Sequence, residues 1–254
     1  MNQRLAGRRA LVTGAGAGIG RATVLRLLRE GASVFAVGRS IDGLKGTVEL
    51  AGQQGDDDRI SLAVLDVSVE ADVERVVPEA AAVLGGLDIL VNSAGILRGS
   101  HTHETGMDLW NEVIGVNLTG TFLVSRASIP ALLESRGVVI NVGSTASDFA
   151  HPYMAAYAAS KGGLKAFTKT LALEYETRGL RAVCIASGGI RTAMTENPSY
   201  PADADWNLLT RLKPLVGGGL GHPDMVAGVI AMVASEDGAF ITGTEIRIDG
   251  GAHM

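Results

Sequence analysis

The chain has 254 residues, 46% of them hydrophobic and 19% charged, with a formal net charge of −5. That balance offers no electrostatic footprint for nucleic acid, and the acidic Asp56-Asp57-Asp58 reads as a solvated loop. Cys184 is the only cysteine, which excludes an intrachain disulfide, and the apolar run 226–234 is too short to cross a bilayer.

Aromatic residues make up only 4% of the chain, while glycine supplies 34 residues. Such a composition favours aliphatic strands, alanine-rich helices and glycine turns. The polar N-terminus leads into a short strand and not into an apolar leader, so a cytoplasmic protein is expected. Residues 10–12 form that strand, which ends at Thr13 and a glycine cluster. A helix is predicted over 19–29, where Ile19, Thr23, Leu27 and Leu28 share a face and Gly31 closes it. A strand at 33–37, a polar helix at 42–53, a strand at 60–65 and a helix at 69–84 follow. Residues 89–91 form the fourth strand, ending at Asn92, and a long helical stretch covers 108–133 with Pro130 near its end. The fifth strand is 138–142, the next helix 155–177 and the sixth strand 180–185. A proline-containing segment, 193–214, breaks the rhythm before a helix at 223–234 and a seventh strand at 245–248. Strand–helix alternation with non-alternating aliphatic strands implies one parallel sheet covered by helices on both faces. No linker divides the chain, so a single domain over 1–254 is expected. Ligands of such sheets sit at the carboxyl ends of the strands, where Thr13, Asn92 and Ser144 fall.

The turn after the first strand reads Thr13-Gly14-Ala15-Gly16-Ala17-Gly18-Ile19-Gly20, with glycines in a G-x-x-x-G-x-G spacing. Missing side chains let backbone N–H groups approach a pyrophosphate at the helix N-terminus. Arg21-Ala22 after Gly20 excludes a Walker-type loop. The second strand ends in Gly38-Arg39-Ser40 with no acid at its tip. An acid there would bind a ribose 2′-hydroxyl, whereas Arg39 can fork onto a 2′-phosphate, so NADP(H) is expected in preference to NAD(H). A surface arginine with no ligand is the plainer reading of the same residue. Tyr157 and Lys161 stand four residues apart on one helix face. A free phenol has a pKa of about 10; a nearby ammonium lowers it and makes a proton donor and acceptor of the tyrosine.

Taken together, these motifs resemble the short-chain dehydrogenase/reductase family over nearly the whole chain. Thr13, Gly14, Gly18, Ile19 and Gly20 match its coenzyme motif, and Asp66-Val67 its adenine-side motif. Asn92-Ser93-Ala94-Gly95 stands for the Asn-Asn-Ala-Gly segment, and the ending 235–251 includes Ile241-Thr242-Gly243 and Asp249-Gly250-Gly251. The family's catalytic tetrad falls on Asn117, Ser144, Tyr157 and Lys161. The resemblance implies a Rossmann-type three-layer αβα sandwich with a seven-stranded parallel sheet, and coenzyme contacts from Asn92, Ala94, Gly95, Ile190 and Thr192 as well. The family's Pro-Gly after the sixth strand is Ser187-Gly188 here, which removes a fixed φ from the loop that covers the nicotinamide in relatives.

The implied reaction interconverts a secondary alcohol and a ketone. Tyr157 acts as acid and base, Ser144 steadies the reacting oxygen, Lys161 lowers the Tyr157 pKa and binds the nicotinamide ribose, and Asn117 holds a water that links Lys161 to solvent. A 3-oxoacyl thioester reductase is an alternative within the family, and a catalytically silent NADP-binding scaffold one outside it. His101 and His103 lack a companion ligand cluster, so no metal site is expected, and both are placed on a loop near the substrate entrance. Phe149, His151 and Met154, with Met194, Tyr200 and Trp206 from a lid at about 190–215, are expected around the substrate. Pairing of the helices that carry Asn117 and Tyr157, eased by Ala155, Ala156, Ala158 and Ala159, implies a homotetramer or a homodimer.

Overall fold

A computed structural model describes residues 3–196 and 199–254, without the side chains of Asp57 and Arg211. Strand β1 (Arg9–Thr13) leads through the glycine turn into α1 (Gly18–Arg29), followed by β2 (Ser33–Gly38), α2 (Ile41–Gly52), β3 (Ile60–Val64) and α3 (Glu70–Leu84). After β4 (Ile89–Asn92) come α4 (Met107–Ile114), a π-helical turn (Gly115–Thr119) and α5 (Gly120–Ser135). Then follow β5 (Val138–Ser144), α6 (Ala155–Glu174), β6 (Arg181–Ser187), the short α7 (Ala193–Glu196) and α8 (Trp206–Leu209), α9 (Pro223–Ala234) and β7 (Thr244–Ile248). The seven strands form one parallel sheet in the order β3-β2-β1-β4-β5-β6-β7.

The expected layers are present. One face of the sheet buries Val24, Leu27 and Leu28 of α1 with Val226 and Ile230 of α9. The other buries Val73 and Val77 of α3, Leu123 and Val124 of α5, and Leu171 of α6. Strands covered on both faces must be apolar at successive positions, as the fully buried Ala10-Leu11-Val12 and Val138-Val139-Ile140 are. No helix among the described residues is long and apolar enough to cross a membrane.

Two predicted elements differ from the structure. The stretch 108–133 is not one α-helix, because the turn Gly115–Thr119 inserts a wider π register centred on Asn117. Helix α6 stops at Glu174, where Tyr175 leaves helical geometry and a 3₁₀ turn takes over. Of the predicted lid, residues 197–198 lie outside the described residues.

The order of the strands reverses between β1 and β4, which opens a crevice at their carboxyl ends. Thr13 Oγ1 spans it, accepting the N–H groups of Ser93 and Ala94, each at 3.0 Å. The glycine turn fits between these chains because it lacks side chains. Gly14 has φ +67° and a Cβ there would lie 2.9 Å from the Ala94 nitrogen; one on Gly20 would lie 2.2 Å from the Gly14 oxygen. Gly20→Ala is expected to destabilise the protein by about 1–3 kcal/mol through overpacking, seen as a melting temperature several degrees lower; a variant that melts with the wild type would contradict this.

Candidate active site

A cavity of about 680 Å³ opens at the carboxyl edge of the sheet. Its walls include Gly14, Gly18, Ile19 and Gly20 from the glycine turn and Ala94 and Gly95 after β4. Ser144, Tyr157 and Lys161 line it from β5 and α6, and Ile190 and Thr192 from the loop after β6. These eleven catalytic and coenzyme candidates therefore share one space.

Each catalytic candidate is placed by its own element. Ser144 is the last residue of β5, and its Oγ accepts the Ala146 N–H at 3.2 Å. Ser147 Oγ donates to the Ser144 carbonyl at 2.7 Å and so holds the turn closed. Lys161 lies one helical turn beyond Tyr157 and is 5% exposed, with Nζ donating to the Val142 carbonyl at 2.8 Å. Burial brings the Lys161 ammonium down to about 8. The Tyr157 phenol is pushed up by burial, with the Ser144 hydroxyl pulling the other way. The expected lowering of the phenol by Lys161 is thus not seen in the chain by itself. Nζ lies 5.6 Å from the centroid of the Tyr157 ring and donates to the Val142 carbonyl, with no hydrogen bond to the phenol.

Asn117 stands behind the cavity and does not line it. Its Oδ1 accepts the Ile96 N–H at 2.8 Å, and its Nδ2 donates to the Ile96 carbonyl at 2.9 Å and to Ser160 Oγ at 3.1 Å. Ser160 in turn donates to the Tyr157 carbonyl at 2.7 Å. The Asn117 side chain therefore braces α6 and the loop after β4, with both Nδ2 donors used and one Oδ1 lone pair left over.

Four of the expected coenzyme residues also lie outside the cavity walls. Asn92 is buried, with Nδ2 donating to Ser125 Oγ at 3.0 Å and Asn141 Oδ1 at 2.9 Å, and so ties β4 to α5 and β5. Val67 is buried beneath α5, where a Cβ on Gly120 would meet its Cγ2 at 2.7 Å. Asp66 accepts the N–H and hydroxyl of Ser68 at 3.0 and 2.6 Å. Burial alone would raise its carboxyl, but those bonds and the charge of Arg39 hold it below the ordinary carboxylate range. Arg39 is exposed at the end of β2, close enough to act on Asp66.

The glycine turn suits an anion. Helix α1 starts at Gly18 behind Ala17, which offers no side-chain cap, and its first turn holds no acid. Its leading N–H groups and the positive end of its dipole face the ligand side unneutralised. Arg21, Thr47 and the turn are bound together: Arg21 Nη2 donates to the Gly16 carbonyl, Nε to Thr47 Oγ1 at 3.0 Å, and Thr47 Oγ1 to the Ala15 carbonyl at 2.9 Å. This cradle matches the residues that would hold a dinucleotide pyrophosphate.

The loop after β6 is braced although Ser187 stands where proline was expected. The Gly188 N–H donates to the Ile248 carbonyl at 2.9 Å, while Gly221 donates to Gly189 at 2.9 Å and accepts from Arg191 at 2.8 Å. His151 and Met154 line the cavity with Met194, Tyr200 and Trp206, whereas Phe149 does not. Phe149 instead stacks on His253, centroids 4.3 Å apart, and His253 is a wall residue that sequence reasoning missed. Positive φ at Gly250 and Gly251 turns the chain end back, and Asp249 Oδ2 accepts the His253 N–H at 3.2 Å. The Asp-Gly-Gly turn was the available signal. Among the described residues no three potential ligands gather into a metal site.

Comparison with known proteins agrees with this geometry. Residues 8–201 match the family model described as short chain dehydrogenase. The chain is 38% identical over 249 residues to the 3-oxoacyl-[acyl-carrier-protein] reductase FabG of Thermotoga maritima, covering 98% of each. It is 38% identical over 255 residues to the 3beta-hydroxysteroid dehydrogenase 1 of Eggerthella lenta, covering 99% of this chain and 95% of that one. A dehydrogenase/reductase from Sinorhizobium meliloti superposes with a TM-score of 0.89 at 34% identity, covering 100% of this chain and 98% of that one. With its motifs, sheet order and cavity all in agreement, the chain belongs to the short-chain dehydrogenase/reductase family of oxidoreductases.

Proposed function

We propose that this oxidoreductase interconverts a secondary alcohol and a ketone, using NADP(H) in preference to NAD(H), with Tyr157 as its acid and base. The observation that carries the reading is the shared cavity: Ser144, Tyr157 and Lys161 face the same space as the glycine turn. When bound, the nicotinamide coenzyme supplies or takes the hydride. Gly14, Gly18, Ile19 and Gly20 would hold its pyrophosphate, Lys161 its ribose, and Arg39 its 2′-phosphate. Asn92, Ala94, Gly95, Ile190 and Thr192 would close around the rest, with Asp66 and Val67 supporting the adenine side.

In reduction, Tyr157 Oη gives a proton to the substrate oxygen, and Ser144 Oγ donates a hydrogen bond to the charge that develops there. A half-buried phenol held above its ordinary value is protonated at neutral pH, as an acid must be. The Lys161 ammonium then steadies the phenolate left behind. The water relay is assigned to Asn117, in the π turn, where its side chain keeps one Oδ1 lone pair and its carbonyl accepts the Thr121 hydroxyl at 2.9 Å.

Met154, Met194, Trp206, Leu209 and Leu212 give the substrate side an apolar character that suits a bulky ketone. A 3-oxoacyl thioester is the second reading, favoured by the substrate in the name of the Thermotoga maritima relative. Assembly as a homotetramer or homodimer through α5 and α6 is supported by Phe122 and Leu173, 43% and 81% exposed on those helices. Of the four alanines expected at that contact, Ala156 is buried within its own subunit and Ala159 is exposed.

A panel of steroid ketones, 3-oxoacyl thioesters and simple ketones, run with NADPH and with NADH, tests the assignment. Tyr157→Phe is expected to lower kcat by about 10²–10⁴-fold while NADPH binding, followed by fluorescence, stays nearly unchanged; undiminished turnover in the variant would defeat the assigned role. Arg39→Ala is expected to weaken NADPH by about 10- to 100-fold, the worth of a charge-assisted hydrogen bond, and to spare NADH. Equal effects on both coenzymes, or none, would remove Arg39 from the 2′-phosphate site.

A further inference from the structure

The segment that walls the substrate side of the cavity is tied down by three contacts outside the site just described. The Gly99 N–H donates to the Ser199 carbonyl at 2.7 Å, and a Cβ on Gly99 would lie 2.2 Å from that oxygen, so the approach needs glycine. The Asp205 N–H donates to the Tyr153 hydroxyl at 2.8 Å. His101 Nε2 lies 3.0 Å from Asp203 Oδ1.

All three ties rest on one platform. The Ser100 N–H donates to the Tyr153 carbonyl at 2.9 Å, and the His101 ring meets the Tyr153 ring edge-on with centroids 5.1 Å apart. Tyr153 has φ +65°, a left-handed conformation that a bulky residue keeps only where its surroundings enforce it. Residues 199–206 lie over this platform and carry Tyr200 and Trp206 into the cavity wall, their rings 6.0 Å apart.

We propose that His101 is a positioning residue: through Asp203 it latches residues 199–206 over the substrate cavity, firmly when the imidazole is protonated and loosely when it is neutral. The proposal rests on the cavity being the substrate site, and it concerns two residues that do not line it. Two of the ties are bonds from backbone N–H groups to neutral acceptors; the pair His101–Asp203 is the tie that titrates near neutrality.

The groups facing His101 are few. Asp203 comes from the covering segment and Tyr153 from the loop before α6. Glu104 and His103 come from the turn of His101 itself, paired with each other at 3.6 Å. The Asp203 hydrogen bond holds the imidazole above its ordinary value of 6.5; desolvation opposes this, and the charges of Asp203 and Glu104 add to it. A raised value in the latched state means that the tie is complete on the acid side. It is lost as pH rises through a point above 6.5.

Hydrogen exchange of the whole chain at about pH 6 and about pH 9, corrected for the intrinsic pH dependence of exchange, tests the latch without turnover. An enzyme inactive on every ketone would leave this test intact. Peptides covering 199–206 are expected to be several-fold better protected at the lower pH, while β5 peptides stay unchanged. Asp203→Asn and His101→Gln should abolish the difference, and His101→Lys, which keeps a cation at both pH values, should preserve protection at both. On any ketone that turns over, KM should rise with pH in the wild type and not in Asp203→Asn, with kcat unaffected by that substitution. Equal protection at both pH values in the wild type, or a pH dependence that survives in Asp203→Asn, would overturn the proposal.

Discussion

Lys161 carries its ammonium into the floor of the cavity, where 5% of the residue remains exposed and Nζ donates to the Val142 carbonyl. A charge taken out of water is stable only if its surroundings are polar and fixed. Val142 lies on β5, paired with β6 at that level, and α6 is braced through Ser160 and Asn117 to the loop after β4. The amine cannot escape to solvent without moving these elements. It is therefore held near the point of losing its proton, beside a phenol that burial keeps protonated. Burial moves the two groups in opposite directions, because it penalises the charged form of each.

The same edge of the sheet supplies the other half of the site. Reversal of strand order between β1 and β4 leaves a crevice, and the Thr13 hydroxyl stitches its two sides together. Glycines at 14 and 20 let the turn sit against the neighbouring backbone and leave the N-terminus of α1 bare. An anion binds at bare N–H groups through dipole and hydrogen bond together. Ser144, Tyr157 and Lys161 thus share one cavity with the glycine turn, at the carboxyl edge of a sheet buried on both faces.

Much of this was legible in the sequence, for a physical reason in each case. The seven strands read clearly because buried parallel strands are apolar without alternation, and the glycine spacing and the pair Tyr157/Lys161 are local patterns. Asn117 was legible as a candidate, but its bracing bonds were not. A π turn leaves no mark in hydrophobic periodicity, and the bonds to Ile96 and Ser160 join segments far apart in the chain. The same holds for Asn92, whose two Nδ2 partners, the buried Ser125 and Asn141, come from elements far away in the chain. His253 was missed because only the folded chain end brings it onto Phe149. The direction of the Tyr157 shift was misjudged because spacing on a helix shows proximity to a charge and not depth of burial.

The chemistry of the site depends on the state of one amine. Selective labelling of lysine, with the Lys161 signal assigned by its loss in Lys161→Met, allows its titration to be followed by NMR in the whole chain without added coenzyme. A midpoint near 8 is the expected result. A midpoint at the ordinary value of 10.5 would show that the amine is solvated and would contradict the account.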